Sequence, residues 1–170
     1  MAKLEPALSM VFTHEGGLVD NPNDSGSITN LGISFRFYKK KVKPDSTPDD
    51  IKNLTVNDAA EIYRRFWWER YPFSEIDSQL ICNRLFDLSV NLGSAAAISC
   101  LQRAIDACLG CKLVVDGMLG PKTLAATNLI NEQNLYDQLI IQAELKYRDI
   151  VYHNPKDQLF LNGWLARLKN

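Results

Sequence analysis

Leu4, Leu8, Val11 and Phe12 recur at i, i+4, i+7 and i+8, the spacing of one helix face. Gly16-Gly17 follow, and glycine commonly closes a helix at its C-terminal end. Glu15 is the next member of the same apolar stripe, four residues after Val11. The pattern thus places a carboxyl on the inward face, at the helix end that carries partial negative charge. Desolvation and the helix dipole both disfavour the ionised form, so a raised pKa is expected. A carboxylic acid kept protonated near neutral pH is what a general acid requires. The competing reading is a helix-end glutamate that reaches water past the glycines.

The pattern then changes. Residues 17–32 are dense in Asn, Asp, Pro, Ser and Gly, the turn formers, and suit a functional loop or a short hairpin. Ser34 is placed to cap a short helix through about Val42, with Lys39, Lys40 and Lys41 at its C-terminal end. Thr47-Pro48-Asp49-Asp50 reads as a cap and first turn. Thr55 and Asp58 form a capping box before a helix carrying Val56, Ala60, Tyr63 and Trp67 on one stripe, ending before Pro72. Trp68 falls off that stripe, beside Glu61 and Arg64. An indole on a polar face calls for ligand stacking or for cover from another segment.

A helix capped by Ser78 runs to about Asn91, before Gly93. It is apolar over most of its circumference and is expected to be central. Its polar strip is Arg84, Asp87 and Asn91, at i, i+3 and i+7. One reading is a local Arg84–Asp87 pair with Asn91 as a cap; the other is that the strip lines a cleft. The local reading suits Arg84, and the cleft reading suits Asn91. Further helices are expected from Ser94 to about Leu109, from Lys122 to Ile130 and from about Leu135 to Tyr152. A last one carries Phe160, Leu161, Trp164, Leu165 and Leu168. The fold class is mainly α, with at most a small β element in residues 17–32.

Composition narrows the classes. The chain has 170 residues, room for one domain or one with a small appended lobe. Its 46% hydrophobic and 23% charged residues are ordinary for a globular protein. No apolar run is long enough to span a membrane, and Met1-Ala-Lys-Leu-Glu-Pro6 lacks the layout of a secretory signal. A net charge of −1 gives no global attraction to nucleic acid, so a polyanionic substrate would need local contacts. Cys82 and Cys100 sit in apolar helical patterns. Cys108 and Cys111 form a C-x-x-C without the βαβ context or second ligand pair of a redox or zinc site. With two histidines in the chain, a zinc site is not expected, and reduced thiols are the default.

Glu15, Asp24 and Thr29 read together as one unit. A loop folding back over the helix end would bring a second carboxylate and a hydroxyl to the inward-facing acid. Glycosidic hydrolysis needs such a division: one carboxyl protonates the leaving group while another group stays ionised and orients water. Asp24 stands among Asn, Ser and Gly, a wet setting that keeps it ionised. Taken alone it would read as a turn-forming aspartate.

At this point the chain resembles glycoside hydrolase family 108, N-acetylmuramidases of phages, prophages and some bacterial secretion loci. The residues that carry the resemblance are His14-Glu15-Gly16-Gly17, Asp20-Asn-Pro-Asn-Asp24, Ser25-Gly26, Thr29-Asn30 and Gly32-Ile33-Ser34. Ser25-Gly26 departs mildly from the family's Gly-Gly. Ile62 to Trp68 is similar to the family's tyrosine/tryptophan helix. Phe86 to Gly93, Leu101-Gln102, Val115 to Gly120 with Thr123, and Gly163-Trp164-Leu-Ala-Arg167 look like the accompanying C-terminal half, described as a peptidoglycan-binding region.

The resemblance implies a lysozyme-like helical domain. It also implies Glu15 as catalytic acid and cleavage of the β-1,4 bond between N-acetylmuramic acid and N-acetylglucosamine. No metal and no cofactor are implied. A similar E-D-T order in T-even phage lysozymes suggests the roles of Asp24 and Thr29. Asn30, Trp68 and Asn91 are the candidate substrate contacts. Residues 1–73 are expected to form the catalytic part, and residues 74–170 a helical part that completes the cleft and binds peptidoglycan. The partners implied are peptidoglycan glycan strands and a holin or secretion apparatus. A monomer is expected, made in the cytoplasm without a signal peptide and acting in the periplasm or cell wall. The rival readings are a lytic transglycosylase on the same bond and a non-catalytic peptidoglycan-binding module.

Overall fold

A computed structural model describes residues 1–19, 28–110 and 112–169. The first helix, α1, is Leu4–His14. It buries Ala7, Leu8 and Val11 and stops one residue before the glycines, with Glu15 as an extended C-terminal cap at φ −80° and ψ 113°. Neither Gly16 nor Gly17 has a positive φ, so the expected glycine cap is replaced by a turn-out of Glu15 itself.

A two-residue hairpin follows: β1 (Thr29–Asn30) pairs antiparallel with β2 (Ile33–Ser34) in the register Thr29↔Ser34 and Asn30↔Ile33. Val19 adds a backbone bridge to Thr29. The β element therefore extends past residue 32, because the turn is Leu31-Gly32. Both turn residues have positive φ, 51° and 76°, as a tight hairpin matching the strand twist requires. Leucine is strained there, and Tyr63 anchors the turn by donating its hydroxyl to the Leu31 carbonyl at 3.1 Å.

Short helices α2 (Phe35–Lys41) and α3 (Pro48–Lys52) pack beside the hairpin. Ser34 Oγ accepts from Phe37 N, and a Thr47–Asp50 capping box opens α3. A second box, Thr55–Asp58, opens α4 (Val56–Phe66). Ala59, Ile62 and Tyr63 form its buried face, while Val56 is exposed, so the inward stripe is rotated from the one the sequence suggested. The helix ends at Phe66; Trp67 leaves helical geometry and Trp68–Arg70 form a 3-10 turn.

The expected central helix is α5 (Gln79–Leu92), capped by Ser78 and ended by Gly93 at φ 84°. It packs against α1, α6 (Ser94–Leu109) and α8 (Glu132–His153). Helix α7 (Pro121–Leu129) and the last helix, α9 (Gln158–Arg167), complete the fold, which is mainly α and lysozyme-like. One continuous apolar cluster runs from Ala2 to Leu168. The first and last helices thus meet around α5.

Candidate active site

Three segments converge where α1 ends. Glu15 comes from α1, Asp87 from the buried polar strip of α5, and Arg167 from the last residue of α9. Arg167 Nε and Nη2 donate to the two Asp87 oxygens at 3.0 and 2.7 Å. Its remaining nitrogen, Nη1, donates to Glu15 Oε1 at 2.8 Å. Asp87 Oδ1 also lies 2.9 Å from His14 Nδ1, and Arg84 Nη1 is 3.5 Å from Asp87 Oδ2. The Arg84 and Asp87 side chains are fully buried, while the Glu15 side chain keeps 21% of its surface in contact with solvent.

The local Arg84–Asp87 pair is present, but its larger setting was not legible. Asp87 is the acceptor for a guanidinium 80 residues away. Arg84 holds the same residue from the other side, donating to the Arg167 backbone carbonyl at 2.9 Å and to Tyr136 Oη at 2.8 Å. Burial works against the Arg167 charge, but Asp87 and Glu15 outweigh it and raise the guanidinium pKa. Glu15 thus emerges among charged partners, not on the purely apolar face that its spacing suggested.

Gly32 forms the floor beneath Glu15. A Cβ there would stand 2.7 Å from Glu15 Cγ and would collide with the Tyr63 hydroxyl. Tyr63 is fully buried, and burial, reinforced by the neighbouring Glu15 carboxylate, pushes its phenol pKa up. Its hydroxyl therefore stays a hydrogen-bond donor at any working pH.

Thr29 lies on β1, at the foot of the segment between α1 and the hairpin. Asp24 falls outside the described residues. Asn30 is buried, and its amide donates to the Ile51 carbonyl at 2.9 Å, tying the hairpin to the end of α3. Trp68 stacks on Phe73, with centroids 5.6 Å apart and planes 18° from parallel, and meets Phe86 edge-on. It borders a shallow surface depression with Glu69, Arg70 and Tyr71. Asn91 sits one turn beyond Asp87 on α5 and accepts from Tyr147 Oη at 2.8 Å.

Arg167, Asp87 and His14 carry the polar cluster, yet sequence reasoning gave none of them a site role. The available signal was Asp87 itself, a carboxylate in a helix that is otherwise apolar on nearly every side. Burial pushes the Cys82 and Cys100 thiols up to about 12 and about 11, so both are inert core groups. The Cys108 sulfur approaches the Asn134 carbonyl, and Cys111 lies outside the described residues. Among the described residues, no three His, Cys, Asp or Glu side chains are grouped to hold a metal ion. No helix among them is long and apolar enough to cross a membrane.

A family model described as glycosyl hydrolase 108 matches residues 8–93, which include α1 from Leu8 onward, Glu15, the hairpin and α5. A second, described as a predicted peptidoglycan domain, matches residues 96–169. The two regions meet at the α5–α6 junction. A solved structure, that of Brucella abortus SagA, is 25% identical, with a TM-score of 0.78 over 98% of this chain and 89% of that one. A search of curated proteins finds no match. The chain belongs to glycosyl hydrolase family 108 and is a peptidoglycan hydrolase.

Proposed function

We propose that the enzyme is an N-acetylmuramidase that hydrolyses the β-1,4 bond between N-acetylmuramic acid and N-acetylglucosamine, with Glu15 as general acid. The observation that carries this reading is the Glu15 carboxyl, partly open to solvent at the end of α1, with Oε1 engaged by Arg167. Among the described residues, Oε2 has no hydrogen-bond partner. The Glu15 proton passes to the glycosidic oxygen as the bond from that oxygen to C1 breaks. Water attacks C1 from the opposite face and gives its proton to Asp24, with Thr29 holding the same water. This division gives inversion, for which carboxyls stand about 6.5–9.5 Å apart, against ~5–5.5 Å in retaining enzymes.

Of the three candidate substrate contacts, Asn91 shares the α5 strip with Asp87, and its Oδ1 already accepts from Tyr147 Oη. Asn30 and Trp68 have structural tasks that must be weighed beside any sugar contact. Residues 1–73 carry the acid and the water-binding groups, and residues 74–170 complete the cleft. The enzyme works as a monomer in the periplasm or cell wall, delivered by a holin or a secretion apparatus.

Glu15→Gln is expected to fold normally and to lose activity by ~10²–10⁴-fold, the usual contribution of a general acid. More than a tenth of wild-type activity in that variant would overturn the assignment. Mass spectrometry of digested peptidoglycan is expected to find reducing N-acetylmuramic acid ends. Anhydro-muramic products would instead establish a lytic transglycosylase, and the β anomer formed first would overturn inversion.

A further inference from the structure

We propose that Arg167 is a positioning residue for the Glu15 carboxyl, which makes helix α9 part of the catalytic machinery as well as of the peptidoglycan-binding half. The inference rests on the reading of Glu15 as general acid.

The guanidinium has little freedom. Its Nε–Nη2 edge forks onto both oxygens of Asp87, a carboxylate with no exposed surface. Such a planar, two-point contact fixes the orientation of the whole group. Asp87 is itself held by His14 Nδ1 and by Arg84. Arg84 also grips the Arg167 carbonyl, so the backbone and the side-chain tip of residue 167 are both anchored to α5. With the fork fixed, Nη1 points at one atom, Glu15 Oε1, 2.8 Å away.

The chemistry follows from what a guanidinium can do. It donates hydrogen bonds and never accepts them. Oε1 must therefore be the accepting oxygen whether or not Glu15 carries a proton. The acidic proton is confined to Oε2, the oxygen with no other partner among the described residues. Arg167 thus selects which oxygen delivers the proton. When the proton leaves Oε2 for the glycosidic oxygen, the carboxylate left behind keeps its bond to Nη1. The new negative charge then forms beside a cation already in place, and no group has to reorient during the step. The Gly32 floor restricts the carboxyl from the other side.

A salt bridge that only fastens α9 would have the same partners, so the test must separate geometry at Glu15 from stability. Arg167→Met and Arg167→Lys are compared with wild type and with Glu15→Gln on soluble, uncrosslinked glycan strands. Fold is checked by circular dichroism. Both Arg167 variants are expected to keep KM within about twofold and to lose kcat, the methionine variant by about 10²-fold, the scale of losing one preorganised donor. Lysine keeps the charge without the fork, so its kcat is expected to fall between. Millimolar guanidinium ion is expected to restore part of the kcat of Arg167→Met, and methylammonium at the same concentration much less.

Wild-type kcat in either folded variant, with Glu15→Gln inactive, would overturn the positioning role alone. So would a kcat loss that guanidinium does not relieve. If Arg167→Met fails to fold, the lysine variant and its kcat decide the matter. An active Glu15→Gln would instead remove the general-acid reading on which the proposal rests.

Discussion

Among the described residues, the polar networks at Asp87 and at Gln102 are built on different plans. The one at Asp87 is ionic and joins three distant segments: α1, α5 and α9. The one at Gln102 is centred on a neutral amide and is local. Gln102 Nε2 donates to Asp116 Oδ1 at 2.8 Å and to the Met118 carbonyl at 3.1 Å, while its Oε1 accepts from Gly117 N at 3.0 Å. Nε2 also reaches Thr123 Oγ1 on α7 at 3.3 Å, so the partners lie in the α6–α7 loop and the first turn of α7. Gly117, at φ 71°, lies so close to Ala95 that a Cβ would approach the Ala95 carbonyl oxygen to 2.8 Å. The Gln102 network shapes a surface loop through an uncharged amide that reaches backbone groups and one exposed carboxylate, Asp116. The Asp87 network gathers charges whose burial costs free energy unless every partner stays, and it ends on a carboxyl that remains open to solvent. The ions of the Asp87 network are buried beside the expected chemistry, whereas the one ion of the Gln102 network, Asp116, stays exposed.

The largest effect should come from cutting each network at its hub. Asp87→Ala leaves two buried guanidinium groups without their carboxylate, a loss of about 3–5 kcal/mol. Thermal melts should show a fall of about 6–20 °C, since each kcal/mol moves a domain of this size by roughly 2–4 °C. Lytic activity should fall with it, measured where the variant is still folded. Gln102→Ala should cost about 1–3 kcal/mol, because dipoles near the surface recover part of their hydration, and should keep its rate on soluble glycan strands. Equal stability losses, or loss of activity only in the Gln102 variant, would break the contrast.

Gly32→Ala sharpens it from the other side. The added methyl pushes on Glu15 Cγ, and at φ 76° alanine is strained in any case. We expect a loss of at least ~10-fold in kcat, in line with the sensitivity of catalysis to small displacements, and a smaller stability change than in Asp87→Ala. Full activity in a folded variant would show that the carboxyl tolerates displacement.

The smallest effect belongs to surface charge. Lys43, with help from the backbone and hydroxyl of Thr47, lowers the Asp50 carboxyl from 3.8 to about 2. A carboxylate depressed on folding adds stability above its ordinary pKa, and that stability is lost as pH falls towards 2. Asp50→Asn should therefore flatten a small part of the acid-side decline in melting temperature between about pH 4 and pH 2, without changing stability trends near neutrality. An unchanged acid limb would mean that the pair is fully screened.

Legibility followed the range of the interactions. Caps are local, and Ser34, Thr47, Thr55 and Ser78 were each readable from a few neighbouring residues. The apolar character of α5 was equally plain. The exit from α4 was harder. Nothing in Phe66-Trp67-Trp68 breaks a helical period, and the turn is set by packing of the indole on Phe73 and Phe86. The left-handed Leu31 was not legible either, since leucine carries no turn signal and the Tyr63 hydroxyl that holds it comes from another helix. Glu15 could be singled out from its helix alone. Arg167 could not be linked to it, because their contact spans 152 residues and leaves no periodicity behind.

That span has a kinetic meaning. Helices such as α5 and α6 can form and pair early, from contacts close in the chain, whereas the Glu15–Arg167 bond closes a loop almost as long as the protein. Contacts of that separation are entropically slow to form. With the roles proposed for Glu15 and Arg167, activity is expected to return after the helical signal when the chain refolds.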